Sequence, residues 1–166
     1  MHWKPSNRFD VRALPLADRH YNRRKVGSPQ FVPPGRCVVL LTHDELALWV
    51  TSWPLYVQHA WPGAWVCSMF RNESPTLSSV LIRQAVAITR YAYDDADGNP
   101  PDLGMISFVN AAKVRHKRDP GRCFLKAGFR NVGATKGGLV ALQLLPEDIP
   151  PPSVPVSPIF AQAVAR

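Results

Sequence analysis

Four short stretches carry side chains that could do chemistry. In "RHYN", residues 19–22, His20 and Tyr21 are adjacent. They could act as a general acid–base pair or as metal ligands, because an imidazole titrates near neutrality and a phenol can give up or take a proton. They could equally be idle side chains on a surface helix. In "CSMFRNESPTLSS", a strand ending in Arg71, Asn72 and Glu73 runs into a helix with Ser78 and Ser79 in its first turn. A helix N-terminus offers unpaired amides and a positive dipole end, which together bind phosphate or carboxylate. The competing reading is that Thr76, Ser78 and Ser79 only cap the helix.

The third stretch is a cation run holding Lys113, Arg115, His116, Lys117 and Arg118. In extended chain alternate residues share a side, so Lys113, Arg115 and Lys117 could line a groove that holds a phosphate backbone. A solvated loop of idle charges is the alternative. The fourth is "GRCFLKAGFRNVG", where Cys123 would need a lowered pKa to react and Phe124 has no proton to give. His43, His59 and His116 do not stand at metal-site spacings with His20. Trp49, Trp53, Trp61 and Trp65 could stack a base, but their strand setting favours packing.

These side chains need elements to hold them. "LPLADRHYNRRK" reads as a short helix or turn with Asp18 as its N-cap, followed by an ordered loop through the Pro-rich "VGSPQFVPPGR". "RCVVLLT" and "LALWVTSWP" form an antiparallel hairpin, and "AWVCSMF" is another strand. Leu77, Leu81, Ala85, Ile88 and Ala92 recur at steps of three and four, which puts them on one helical face starting after a Thr76 cap. "GMISFVN" is a strand, and "DPGRCFLKAGF" a short helix with Asp119 at its start and Gly128 at its end. "VGATKGGLVALQLL" is a hairpin turned on "KGG". The first dozen residues show no strong period. The order suits an α/β (α+β) domain over residues 1–146, with a mixed, mainly antiparallel central sheet flanked by helices. A Pro-rich, extended tail over 147–166 adds little to the core.

Bulk properties narrow the partners. The 166 residues fit one domain, and a hydrophobic share of 46% supports a folded core. No apolar run reaches the length of a membrane span, and "MHWKPSNRFD" is not a signal peptide, so a soluble, cytoplasmic protein is expected. Three widely spaced cysteines argue against a disulfide framework. The net charge of +8 is unevenly spread. Arg19, Arg23, Arg24 and Lys25 form one cluster without an acid. Residues 113–130 hold seven Lys or Arg against Asp119 alone, while Asp94, Asp95 and Asp97 gather elsewhere. Such clustering points to a polyanion, with DNA the leading candidate.

"GRCFLKAGFRNVG" resembles the C-terminal motif of the GNAT acyltransferases, whose element order the chain also follows. The glycine-rich pyrophosphate turn of that superfamily is missing from "RNESPTLSS". Taken together, "RHY", "MFRNE…LSS", "ISFVN" and "PGRCFLKAGFRNVGATKGG" resemble the Mom-type DNA-modifying proteins of phages. Those are divergent GNAT-fold enzymes that decorate the exocyclic amine of adenine, and they too depart from ordinary coenzyme A binders. The resemblance covers residues 17–140 and implies a GNAT-like, DNA-modifying group transferase. It gives His20 and Tyr21 the family's His-Tyr role and Arg71, Asn72 and Ser78 or Ser79 a donor-binding role. Asn110 stands where the family has a catalytic aspartate, and Phe124 at the donor site where it has a tyrosine. An activated donor such as acetyl-CoA, and iron on His20 and Tyr21, are implied in the same way. Arg23, Arg24, Lys25, Lys113, Arg115, Lys117 and Arg118 would hold the DNA, and base flipping would be required. An acetyl-CoA-dependent N-acetyltransferase of a small molecule or protein, and a non-catalytic basic binding module, are the alternatives.

Overall fold

The computed structural model describes residues 1–93, 98–113 and 120–155. Seven strands make one sheet: β1 (Trp3–Pro5), β2 (Cys37–Thr42), β3 (Ala47–Ser52), β4 (Trp65–Asn72), β5 (Met105–Val109), β6 (Arg130–Ala134) and β7 (Val140–Leu144). Their spatial order is β1-β2-β3-β4-β5-β7-β6, antiparallel except where β4 meets β5. Three helices accompany them: α1 (Leu14–Asp18), α2 (Ser78–Ala92) and α3 (Arg122–Lys126). The fold is therefore α+β with a mixed, mainly antiparallel sheet, as the sequence leads one to expect.

The apolar runs "CVVLL" and "ALWV" are unbroken because both faces of the sheet are covered. Val38, Leu40, Ala47 and Trp49 pack on one face with α2, Phe124 and Phe129. Val39, Leu41, Leu48 and Val50 pack on the other with α1, Phe31 and Val32. Burying these chains supplies most of the stabilisation, at about 1.5–3 kcal/mol for each large apolar side chain.

One irregularity matters for function. Thr51 pairs with Cys67 and Val50 with Met69, so Ser68 is an extra residue in β4 and forms a bulge. The bulge changes the strand's phase. Trp65, Cys67 and Phe70 lie on the α2 face, whereas Met69 joins the α1 face. Beyond Cys67 the strands β4 and β5 part, since only Trp65–Met105, Val66–Ile106 and Cys67–Ser107 pair. The result is a fork. Parallel strands need a long crossover, and α2 provides it.

Leu81, Ala85 and Ile88 of the expected helical face are buried. Leu77 is exposed because it is the N-cap, and Ala92 is exposed at the C-terminal end. Thr76 does not cap α2: the N-cap makes no side-chain bond. Asp18 is the last residue of α1 rather than its cap, and its carboxylate instead accepts from Arg23 Nε (2.9 Å) and the Gly27 amide. Gly128, at φ +102°, ends α3 with both bonds of a Schellman motif, its own amide to Leu125 O and Phe129 N to Phe124 O. Asp119 lies outside the described residues.

The three-residue β1 has too few residues to show a period. It is held by Trp3, which is fully buried and donates from Nε1 to Leu81 O at 2.9 Å. Ile149, beyond the expected domain boundary, is buried in the main core, and Ser153 N donates to Ala87 O. Up to residue 155 the tail therefore contributes to packing. Cys37, Cys67 and Cys123 form no disulfide. No helix among the described residues is long and apolar enough to cross a membrane.

Candidate functional site

The chain leaving α1 is laid along β4 by a charged clamp. Glu73 accepts from Arg19 through two bonds (2.7 and 2.8 Å) and from Arg71 Nε at 2.6 Å. Arg71 Nη1 also donates to the Arg19 carbonyl at 2.8 Å. The two guanidiniums, Arg19 first, hold the Glu73 carboxyl well below its usual range, at about 2. This clamp fixes the backbone immediately before His20. It also engages Arg71, the side chain expected to bind the donor.

His20 is oriented by Asn22. The Asn22 Nδ2 donates to the Ser68 carbonyl at 2.7 Å, and a carbonyl can only accept. That bond sets the amide's direction, so Asn22 Oδ1 is the acceptor in its 2.6 Å contact with His20 Nδ1. The Asn22 backbone amide nitrogen also approaches Nδ1, at 3.3 Å, and can only donate, so Asn22 holds the ring in place from two sides and either tautomer finds a partner there. Burial lowers the His20 pKa first, and the Arg71 charge lowers it further, against the Asn22 and Phe70 hydrogen bonds. An imidazole that is neutral at pH 7 and held in one orientation is equipped to take a proton.

Tyr21 stacks on His20 with ring centroids 4.5 Å apart. Burial raises its pKa, against the opposing effect of the Asn110 backbone amide beside its hydroxyl. It stays protonated at neutral pH and can donate. Asn110 thus enters the site through its main chain. Its side-chain oxygen accepts from Ala112 N at 3.1 Å, as a turn residue's does. Phe124 lines the fork and packs edge-on to Phe70 and Phe129. His20, Cys67, Ser68, Phe70, Ser107 and Phe124 are among the residues around a cavity of about 30 Å3 at the fork, room for one small group. Burial pushes the Cys67 thiol up, so it is no thiolate nucleophile.

The structure thus brings together His20, Tyr21, Asn110 and Phe124, contributed by three separate regions of the chain. Among the described residues, it does not bring the other expected site residues to the same place with free side chains. Asn72 Nδ2 donates to Thr76 O (2.8 Å) and Ser78 Oγ (3.0 Å), while its Oδ1 accepts from Ser74. Those bonds shape the turn into α2. The Ser78 and Ser79 amides have no acceptor among the described residues, which leaves the helix end able to meet an anion. Arg23, expected to hold DNA, has a side chain 7% exposed, paired with Asp18 and bonded to Ser28 O and Gln30 O. Arg24, Lys25 and Lys113 are exposed. Arg115, Lys117 and Arg118 lie outside the described residues.

The fork does not supply an iron-binding set. His20 Nδ1 is committed to Asn22, the family's carboxylate is replaced by the amide of Asn110, and Cys67 keeps its proton. Among the described residues no group of three His, Cys, Asp or Glu could hold a metal ion.

Sequence reasoning misses Asn22, Glu73 and the Ser68 bulge. A signal exists for the last: Trp65, Cys67 and Phe70 are spaced two and then three apart, which breaks strand alternation. Asn22 carries no such signal, because its role depends on a carbonyl 46 residues away. Comparison of the chain with protein families, with curated proteins and with solved structures returns no match.

Proposed function

We propose that the chain is a GNAT-fold group transferase acting on the exocyclic amine of a nucleobase, adenine, in DNA, as Mom-type proteins do to shield phage DNA from restriction. One observation carries the reading. A neutral His20, held by Asn22 and stacked on a protonated Tyr21, stands at a fork between parallel strands beside a bulge in β4. The strand order with its single parallel pair is the order expected of a GNAT sheet.

The chemistry follows from the geometry. An aromatic amine is barely basic, so its nitrogen attacks an activated carbonyl only as a proton leaves. His20 takes that proton on its unprotonated ring nitrogen as the new bond to carbon forms. Tyr21 returns a proton to the departing group. An acidic group of a donor such as acetyl-CoA would meet the Ser78 and Ser79 amides, although the turn lacks the glycines that allow close backbone approach.

The test is to express the protein beside a plasmid, digest the recovered DNA to nucleosides, and measure their masses. A modified deoxyadenosine that disappears with His20→Ala is expected. Unmodified nucleosides from abundant folded protein would count against the reading. Stabilisation by acetyl-CoA alone would then favour an acetyltransferase of a small amine or protein, and salt-sensitive DNA binding alone a non-catalytic module.

A further inference from the structure

A second cavity lies on the α1 face of the sheet, outside the fork. It encloses about 710 Å3, within the roughly 300–1,000 Å3 typical of small-ligand sites. Its floor is apolar: Phe31, Val32, Val50 and Met69 line it, and each is buried in the core of that face. A flat aromatic ring would find there the surface it needs. Gln30 adds a polar group. Its Nε2 donates to Val32 O at 2.7 Å, while its Oε1 has no partner among the described residues. That oxygen can accept a hydrogen bond from an amine on a ring.

The rim is cationic. Arg24 and Lys25 line the cavity, are exposed, and make no ion pair among the described residues. Their neighbour Arg23 is neutralised by Asp18, so the free positive charge at this rim belongs to Arg24 and Lys25 alone. Two uncompensated cations over an apolar floor match a ligand that is anionic at one end and aromatic at the other. The cavity also adjoins the fork: Ser68 and Met69 line both. Asn22 lines the cavity while hydrogen-bonding His20.

From these features we infer that the α1-face cavity is a site for one phosphorylated nucleoside unit. The ring lies on Phe31, Val32, Val50 and Met69, its amine meets Gln30 Oε1, and Arg24 and Lys25 hold its phosphate. The inference rests on the nucleobase-transferase reading and gives it a subsite for a nucleotide neighbouring the one that reacts at the fork. The Ser68 bulge then forms the wall between this subsite and the fork.

The test uses the full chain and deoxyadenosine 5′-monophosphate, followed by titration calorimetry, with deoxyadenosine and inorganic phosphate as separate probes. The monophosphate is expected to bind saturably and more tightly than either fragment. Arg24→Ala/Lys25→Ala should weaken it at least tenfold while leaving the weaker deoxyadenosine binding in place. Gln30→Leu should weaken the nucleoside but not phosphate. Arg122→Ala/Lys136→Ala removes two exposed cations outside the cavity and should change nothing. Equal losses in the two double variants, or no saturable binding by wild type, would overturn the inference. Plasmid modification separates the two claims. Arg24→Ala/Lys25→Ala modifying DNA at the wild-type yield sinks the cavity assignment and leaves the transferase standing. Cavity-dependent nucleotide binding without any DNA modification does the reverse.

Discussion

Glu73→Gln tests whether the arginine clamp holds the site. The wild-type carboxyl drops from 4.5 to about 2 on folding. At about 1.36 kcal/mol per pH unit this bounds its contribution at ~3.4 kcal/mol. Solvent reduces that figure, since the Arg19 side chain is 50% and the Glu73 side chain 27% exposed. About 1–1.5 kcal/mol remains once exposed pairs are discounted, or a loss of about 2–5 °C in Tm for a chain of this size. The sign follows from the depressed pKa. The stabilisation is complete above pH 4.5 and disappears as pH falls through about 2. Urea unfolding of wild type and Glu73→Gln at pH 7, 5, 4 and 3 should show a gap that is constant at first and then narrows. A gap independent of pH, or none at pH 7, would refute the clamp. The variant should also leave the Arg71 charge uncompensated beside His20 and so drive the imidazole pKa lower still.

The remaining expectations concern the base, its orienting residue and the β5 turn. Because burial favours neutral His20, transfer should rise with pH through a midpoint below the usual 6.5 and then stay flat through neutrality. A midpoint above 6.5 in a pH–rate profile would contradict that environment. Asn22→Ala should lower the transfer rate about tenfold or more with little change in Tm, because the imidazole loses the side chain that orients it. Asn22→Asp should restore part of the rate and move the midpoint upward, a response that a purely structural role would not give. Gly104 has φ +65°, and a Cβ there would run into the Leu144 carbonyl oxygen. Gly104→Ala should therefore cost about 3 kcal/mol or more in urea unfolding, and an unchanged midpoint would contradict the β5–β7 register.

Much of the sheet is legible from neighbouring residues. Unbroken β-branched and aromatic runs mark β2, β3 and β5, and "KGG" marks the turn between β6 and β7. The three- and four-residue spacing of Leu81, Ala85 and Ile88 marks the buried face of α2, and Gly128 the end of α3. Where ends are concerned the same reasoning slips. Leu77 fits the helical period yet is 71% exposed, because a period does not say where packing begins. The cation clusters are legible as charge but not as function: Arg23 looks like Arg24 in sequence, and only its bond to Asp18 sets it apart.

His20 and Tyr21 stand out by residue type, since few side chains can exchange protons near pH 7. What makes them a site is contributed from far along the chain. The Ser68 carbonyl holds Asn22 against the His20 ring, and Arg71 anchors the Arg19 carbonyl across 52 residues. Asn110 meets Tyr21 through backbone rather than the side chain that resemblance would choose. Strands, helices and turns are written locally because propensity and periodicity act between residues a few positions apart. The fork, the oriented imidazole and the two cavities arise only when both sheet faces are buried and distant backbone groups find their partners.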